Sequence, residues 1–488
     1  MRQADIIVVG GGGAGLAASI EAANAGCSVV LLEKESRLGG STGVSVGAVA
    51  SSGTDLQRRG GIVDTPQQHF EDLGLWAGKL ATRDNLELRR LLTENVPETV
   101  AWLEKLGLVF FGPMPDPLHR VPRLHAVLPR SRAYIHHLSR EARRLGVEFV
   151  LNARAERLIS EGGQVSGVEA LVEGRTERLH ARRAVILSAG DYSSGLEFKK
   201  RYLAEDIADI DGVTPSSTGD GQRLGLDIGS EVVNGDVIWG PDIRFVAPPR
   251  KNLVELIPPV TSLGRMMRLA LRYLPSSLLR PFAMMFITTN LAPSPELFGE
   301  GAILINKAGR RFVDERKRPQ DAIVRQPDRL AYVVFDHVVA RKFTAWPHYI
   351  STAPGLAYAY LADYRRNRRD IYHQADTLRG LADAIGVPAE DLESTVGEYN
   401  TSRAAELPGL ASPPFYALGP ARSCIPITDG GLRVNTRLEV LNRDGVPIKG
   451  LFAAGSTGQG GLLLAGPGNH LSWAFTSGRI AGRNASRG

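Results

Sequence analysis

Gly10, Gly12 and Gly15 stand in the spacing G-x-G-x-x-G directly after an apolar run, residues 6–9. The chemistry this spacing serves is the binding of a pyrophosphate. The first glycine permits a tight bend, the second lets a phosphate approach the backbone, and the third lets helix and strand pack closely. Free N–H groups and the positive end of a helix dipole then face the anion, with Gly13 and Ala14 at the helix start. Glu33 ends the next apolar run, with Lys34 beside it, where a carboxylate accepts hydrogen bonds from an adenosine ribose. A glycine-rich turn without a ligand is the competing reading. It leaves unexplained why strand, helix, second strand and acidic residue all follow at the spacing a dinucleotide needs. The elements that must position these residues are a buried parallel strand over 6–9, a helix over 14–25 and a second strand over 29–32.

A second small-residue turn comes soon after: Gly40, Ser41 and Thr42, then Ser45 and Gly47. An NAD domain has no need of it. A flavin does, because its ribityl and ring end must lie along backbone that offers N–H donors and no bulk. The pattern resembles the fumarate reductase and succinate dehydrogenase flavoprotein family, which includes the 3-ketosteroid dehydrogenases. The resemblance implies an α/β fold, a Rossmann-like FAD-binding domain carrying an inserted α+β cap domain for the substrate. Its expected parts are residues 1–237, a cap over 238–411, and a C-terminal return over 412–488. It also implies FAD as cofactor, with Ala155, Ala189, Gly190, Gly455, Ser456, Asn469, Leu471 and Ser472 beside it. The family attaches FAD to a histidine in succinate dehydrogenases. Ser41 stands at that position, so binding is expected to be non-covalent. Thr218-Gly219-Asp220-Gly221 matches a further family motif. Asp220 is open to two readings, a helix cap or a cofactor contact.

The departures from fumarate reductase concern the substrate. Phe298 stands where that family has its proton-delivering arginine, and Ala465 where a second arginine precedes the last glycines. The substrate histidine of the family is also replaced, in the stretch from Cys424 to Gly431. A buried carboxylate without its arginine fork costs several kcal/mol, about enough to exclude a dicarboxylate. A wall of Phe298, Leu462, Leu463, Leu464 and Ala465 is expected to prefer an apolar ring, though the leucine run is open to plain core packing. In 3-ketosteroid dehydrogenases a glycine N–H assisted by a tyrosine holds the ketone oxygen. The glycine corresponds to Gly468, and the tyrosine position is Leu464. The family's base tyrosine is missing. Candidates for the base are His470, nearest the flavin motif, then Tyr349, His348, Tyr134 and His125. His470 is equally open to being a helix-start residue. Arg123, His125, Arg130 and Tyr134 precede or begin a cap-facing helix and are open to carboxylate recognition or to a solvated loop.

The expected activity is desaturation of an apolar cyclic ketone, of steroid or cyclohexanone size. Reduction of an activated alkene is the alternative, and a flavin-binding protein without turnover is a third. With 488 residues, a net charge of +6 and scattered arginines, nothing points to nucleic acid. No apolar run reaches transmembrane length, and the early first strand leaves no room for a signal peptide. Cys27 and Cys424 are expected as buried thiols of a reducing, cytoplasmic compartment. No haem-attachment motif, metal-ligand spacing or electron-acceptor motif is present. The basic stretch over 265–273 has two open readings, a helix with a buried stripe or one that touches a membrane surface.

Overall fold

The computed structural model describes residues 2–250, 256–353, 357–404 and 406–487. Its first unit is β1 (Arg2–Val9), α1 (Gly13–Asn24) and β2 (Val29–Leu32). β1 and β2 pair in parallel, with Ile6 opposite Val29. Continuous apolar strands of this kind need both faces covered; α1 and the closing helix pack on this sheet, as does the antiparallel ribbon Ala153–Glu161 and Gln164–Val172. β3 (Glu148–Val150) extends the sheet from β2. β4 (Arg175–Leu187) pairs in parallel with the other side of β1, Ile7 opposite Val185. Sequence reasoning starts that strand at 183. It begins earlier because its first half pairs antiparallel with the ribbon strand Gln164–Val172.

The cap follows. β5 (Asp242–Phe245) leads to two helices, α2 (Thr261–Tyr273) and α3 (Ser276–Asn290). β6 (Ile303–Ile305), β7 (Ala331–Phe335), β8 (Tyr372–Ala375) and β9 (Phe415–Cys424) complete an antiparallel sheet. Its order is β5-β9-β7-β6, with β8 also on β9. Every residue of β7 is buried, and a second hydrophobic core gathers around it, separate from the core of the parallel sheet. Beyond β6 the chain turns back through Lys307-Ala308-Gly309 and makes one bridge, Ile305 with Arg311, rather than a second strand. The reason is local: Asn306 Oδ1 takes the N–H groups of Ala308 and Arg310, and Glu315 takes that of Leu304. The expected buried stripe of α2 is only half covered, at Leu263, Met267 and Leu271. Gly264 is its one fully buried residue among those described.

The chain then returns to the first sheet through β10 (Glu439–Leu441) and β11 (Pro447–Ala453). β11 lies parallel to β4, Leu451 opposite Val185. The closing helix α4 (Asn469–Ala485) packs along α1. Among the described residues the path runs β10-β11-β4-β1-β2-β3, antiparallel between β10 and β11 and parallel from β11 on. The carboxyl ends of its strands make the crevice in which such sheets bind ligands. Among the described residues no helix is long and apolar enough to cross a membrane.

Candidate functional site

A cavity of about 520 Å³ opens at the carboxyl ends of β1, β2 and β4 and reaches up to the cap. Its lower wall is mostly backbone. Gly10, Gly12, Gly13, Ala14, Gly40, Ala155, Ala189, Gly190 and Gly455 line it, with the side chains of Glu33, Lys34, Ser41, Thr42, Ser45, Asp220 and Ser456. Gly10 has φ +105°, and a Cβ there would meet Ser188 O at 2.4 Å. Only glycine fits where β1 leaves the sheet so close to β4. Glu33 Oε2 accepts the Gly11 N–H at 2.7 Å and Oε1 accepts the Glu35 N–H at 2.9 Å. Burial raises its carboxyl above the ordinary range, opposed by those two bonds.

Asp220 is not a helix cap. Gly219 occupies that position, and the Asp220 carboxylate takes Lys34 Nζ at 2.7 Å. Lys34 also donates to Thr218 Oγ1 at 2.5 Å. Burial works to raise the Asp220 carboxyl, but the bond and charge of Lys34 outweigh it and leave it below the ordinary value.

Four residues expected at the cofactor stand behind the wall instead. A Cβ on Gly15 would lie 1.9 Å from Gly10 O, so Gly15 serves the packing of α1 on β1. Gly47 is held by the Tyr134 hydroxyl, which donates to its carbonyl at 3.0 Å. Asn469 Nδ2 donates to Ala465 O at 2.6 Å, and Ser472 Oγ donates to Ala50 O at 2.8 Å.

The upper wall differs from expectation more. Leu462, Leu463, Leu464 and Ala465 are buried and turn into the protein, away from the cavity. Two carboxylates hold them there: Asp84 accepts the Leu463 N–H at 2.8 Å, and Asp429 accepts that of Leu464 at 3.2 Å. The chain reaches the cavity only at the next turn, Gly466-Pro467-Gly468, and then at His470 and Leu471. His470 Nε2 lies 2.8 Å from Asp429 Oδ1, and the Asp429 side chain is fully buried. Asp191, buried on the same wall, accepts the Thr428 N–H at 2.9 Å and so fixes the backbone that carries Asp429. Burial raises the Asp191 carboxyl, against bonds from Ser217 and Thr428 that lower it.

The other expected substrate and catalytic residues lie elsewhere. Phe298 is packed in the cap core, beside a small polar cavity of about 180 Å³ with Arg311 and Glu315. Its short helix, Glu296–Gly299, turns inward because Leu297 and Phe298 are its apolar pair. Tyr134 is buried against Phe475, ring centroids 4.7 Å apart. Tyr349 packs on Tyr358 in the cap and is not part of the cavity lining; nor is Arg130, in the loop before helix Arg132–Arg144. His348 bonds Glu296 at 2.7 Å, in a surface group with Glu300. Arg123 is neither clamp nor solvated: it is buried between Asp64 and Asp72, at 2.7 and 2.5 Å. His125 is buried with Nε2 2.8 Å from Thr54 Oγ1.

Sequence reasoning missed the cap's own contribution. Arg244 and Phe245 of β5, Thr289 and Leu291 at the end of α3, and Pro426 and Ile427 face the cavity. It also missed Asp429 as the partner of His470. The signal was visible as a carboxylate before two glycines, Asp429-Gly430-Gly431, in a stretch read only for what it lacked.

The lower wall fits a flavin dinucleotide. A Cβ on Gly12 would meet nothing nearer than Gly39 O at 3.9 Å, so backbone N–H groups face open space at the amino end of α1. Carboxylates stand at one end and hydroxyls of Ser41, Thr42, Thr214 and Ser217 farther along. Such a site and fold define a flavoprotein oxidoreductase. The chain belongs to the FAD binding domain family (FAD_binding_2), whose model it matches over residues 5–255 and 246–469.

A probable fumarate reductase, Ifc3, of Shewanella frigidimarina (strain NCIMB 400) is 28% identical over 507 residues, covering 99% of this chain and 74% of that one. The 4-oxocyclohexanecarboxylate 2-dehydrogenase of Sinomonas cyclohexanicum is 24% identical over 584 residues, 98% of this chain and 92% of that one. The solved 3-ketosteroid Δ1-dehydrogenase of Sterolibacterium denitrificans shares the fold over 100% of both chains, with TM-score 0.67 and 20% identity. The protein is an FAD-dependent oxidoreductase of this family.

Proposed function

We propose that the protein is a dehydrogenase that introduces a C=C bond next to the carbonyl of an apolar cyclic ketone, a 3-ketosteroid or a smaller cyclohexanone-type ring. The observation that carries this reading is the His470–Asp429 pair, 2.8 Å apart, set beside the Gly466-Pro467-Gly468 turn on the cavity wall. The Gly10–Ala14 turn would hold the pyrophosphate of FAD and Glu33 a ribose, with Lys34 and Asp220 near it. Gly40, Ser41, Thr42, Ser45, Gly455 and Ser456 would hold the flavin half without a covalent bond. Gly15, Gly47, Asn469 and Ser472 would keep that wall in shape from behind. FAD bound there supplies the two-electron sink, so that loss of the α proton and departure of the β hydrogen with its electron pair leave a C=C bond.

The chain's own part follows from its geometry. With Nε2–H donated to Asp429, the other ring nitrogen of His470 is left to take the α proton. The buried carboxylate then faces the imidazolium that forms. The Gly468 N–H, at the amino end of the seventeen-residue helix α4, would stabilise the enolate oxygen. Phe245, Leu291, Pro426 and Ile427 supply the apolar wall that sequence reasoning sought in Phe298 and Leu464. The free thiols Cys27 and Cys424 fit a reducing, cytoplasmic setting.

One observation favours a second reading, reduction of an activated alkene. Arg244 reaches the cavity from the cap, a cation able to hold a substrate carboxylate. His470 would then give the proton rather than take it. The test is anaerobic mixing of the purified flavoprotein with saturated cyclic ketones. Loss of the flavin's visible absorbance supports the dehydrogenase. Reoxidation of reduced enzyme by enones or unsaturated acids, without bleaching by any ketone, replaces it with the reductase.

A further inference from the structure

Helices α2 and α3 are joined through Leu274 and Pro275 into an open hairpin, α2 resting on strands Val109–Met114 and Leu124–Leu128 and α3 on the cap helix Leu361–Asn367. Six large apolar side chains stand out from it: Met266, Leu269, Tyr273, Leu274, Leu278 and Phe282, each between 47% and 69% exposed. They are not scattered. Positions 266, 269 and 273 share one face of α2, and 278 and 282 one face of α3, at the spacing of a helical stripe. The opposite sides do the packing: Leu263, Met267 and Leu271 are half-buried, while Met284 and Ile287 are buried in the cap core. Tyr273, Leu274 and Leu278 adjoin at the turn between the two helices, and exposed apolar surface gathered in this way marks an interaction site on a soluble protein.

The charges around the patch select the occupant. The two helices carry Arg265, Arg268, Arg272 and Arg280 and no Asp or Glu. Arg280 is used internally, by Asp363 and Tyr358 O. Arg265 and Arg272 are exposed and flank the apolar stripe of α2. A second copy of this chain would bring arginine onto arginine across a two-fold axis. An apolar stripe edged by arginines, with a tyrosine near the tip, suits the boundary between acyl chains and anionic headgroups.

We propose that the α2–α3 hairpin docks the protein on an anionic phospholipid bilayer, as a surface contact and not a span. The stripe would enter the headgroup boundary, and Arg265 and Arg272 would meet lipid phosphates. The far end of α3 is part of the cavity wall, at Thr289 and Leu291. Eleven residues of helix separate Leu278 from Thr289, about 16 Å at the rise of an α-helix. A water-insoluble ligand would therefore have a short path from the bilayer to the site. The proposal stands on the surface itself and does not depend on which reaction the site performs.

The test is sedimentation of the full FAD-loaded chain with vesicles of phosphatidylcholine alone and of phosphatidylcholine and phosphatidylglycerol in equal parts. Binding is expected to the anionic vesicles, to weaken as salt is raised, and to be slight on the neutral ones. R265E/R272E should lower the anionic partition at least about tenfold. L269E/F282E should lower it on both vesicle types. All four positions are exposed, so flavin content and thermal midpoint should stay as in the parent, which separates lost docking from lost folding. No partition onto anionic vesicles overturns the proposal, as does partition that both variants retain. So does a dimer in light scattering that L269E/F282E dissolves without any vesicle binding, because the patch is then an interface between copies.

Discussion

The lower and upper walls of the cavity are built by different means. The lower wall is backbone, brought to the ligand by glycines that tolerate no other residue: Gly10 against Ser188 O, Gly15 against Gly10 O. Its few side chains are tied to one another, Lys34 to Asp220 and Ser41 to Thr214. The upper wall is side chains, gathered from β5, the end of α3, residues 426–427 and the turn before α4. Its one acid–base candidate depends on a partner 41 residues away. Backbone recognition suits a constant ligand with an invariant pyrophosphate. A wall of side chains from separate segments can change its substrate without disturbing the cradle beneath it.

Breaking the cradle should therefore have the largest effect, and a global one. Gly15→Val places a branched side chain where even a Cβ overlaps Gly10 O. A loss of roughly 4 kcal/mol or more is expected. The protein should purify without flavin and melt far below the parent, as absorbance ratio and circular dichroism will record. A stable, flavin-loaded Gly15→Val would mean that α1 does not need this approach to β1.

Breaking the upper wall should instead spare binding and remove chemistry. His470→Ala should lower kcat by about a hundred- to ten-thousand-fold while flavin content and melting stay near the parent. Asp429→Asn should lower kcat less and leave KM little changed, because it acts through the ring of His470. Exchange of the substrate's α proton with solvent, followed by NMR without turnover, isolates the step. Unchanged exchange in His470→Ala would remove it as the base.

The ion pair at the edge of the cradle sharpens the comparison through pH. The Asp220 carboxyl lies below its ordinary value of 3.8, so the folded state holds its proton less well than the unfolded chain. The stability this contributes is full above that value and is lost as pH falls through the lower, folded value. Lys34→Met should destabilise by about 2 kcal/mol near neutrality. The variant's stability should fall less steeply than the parent's below pH 4, in urea titrations. A parallel fall would place the acid sensitivity elsewhere.

A smaller effect is expected at the cap. Arg244→Leu should leave neutral ketones almost untouched and weaken carboxylated ones about tenfold in kcat/KM. Equal losses on both would assign Arg244 to holding β5, through Asp242, rather than to the substrate.

The two walls were also unequally legible in the sequence. A fingerprint turn is local: strand, glycines, helix and acidic residue lie within forty positions, and the spacing itself states the geometry. The direction a side chain takes in a loop is not local. Leu464 reads as pocket-lining by its place before the glycines. It turns inward because Asp84 and Asp429, distant in sequence, hold the adjacent N–H groups. Tyr134 reads as a substrate residue, but its hydroxyl is spent on Gly47 O. Asp429 is plain in the sequence, yet only the fold sets it beside His470. The parallel strands of the first unit could be read from their continuous apolar runs. The exposed stripe of α2 could not, since an amphipathic pattern says that a face is apolar and not what covers it.

Phe298 offers the finest test of this division, because its place in a family alignment and its place in the fold disagree. Alignment sets it opposite a substrate; the structure sets it in the cap core, 5% exposed, on a helix four residues long. Arginine at this position would confuse the two, since a buried guanidinium could unfold the cap by itself. Phe298→Leu keeps the site apolar and removes part of the ring's volume. It should cost roughly 1 kcal/mol of stability. The kcat and KM for every ketone should remain those of the parent, because under the proposed function the wall facing the ring would be Phe245, Leu291 and Ile427, which line the cavity while Phe298 does not. A change in KM among ketones of different size, without a matching change in melting, would return Phe298 to the substrate wall and join the two regions that the structure keeps apart.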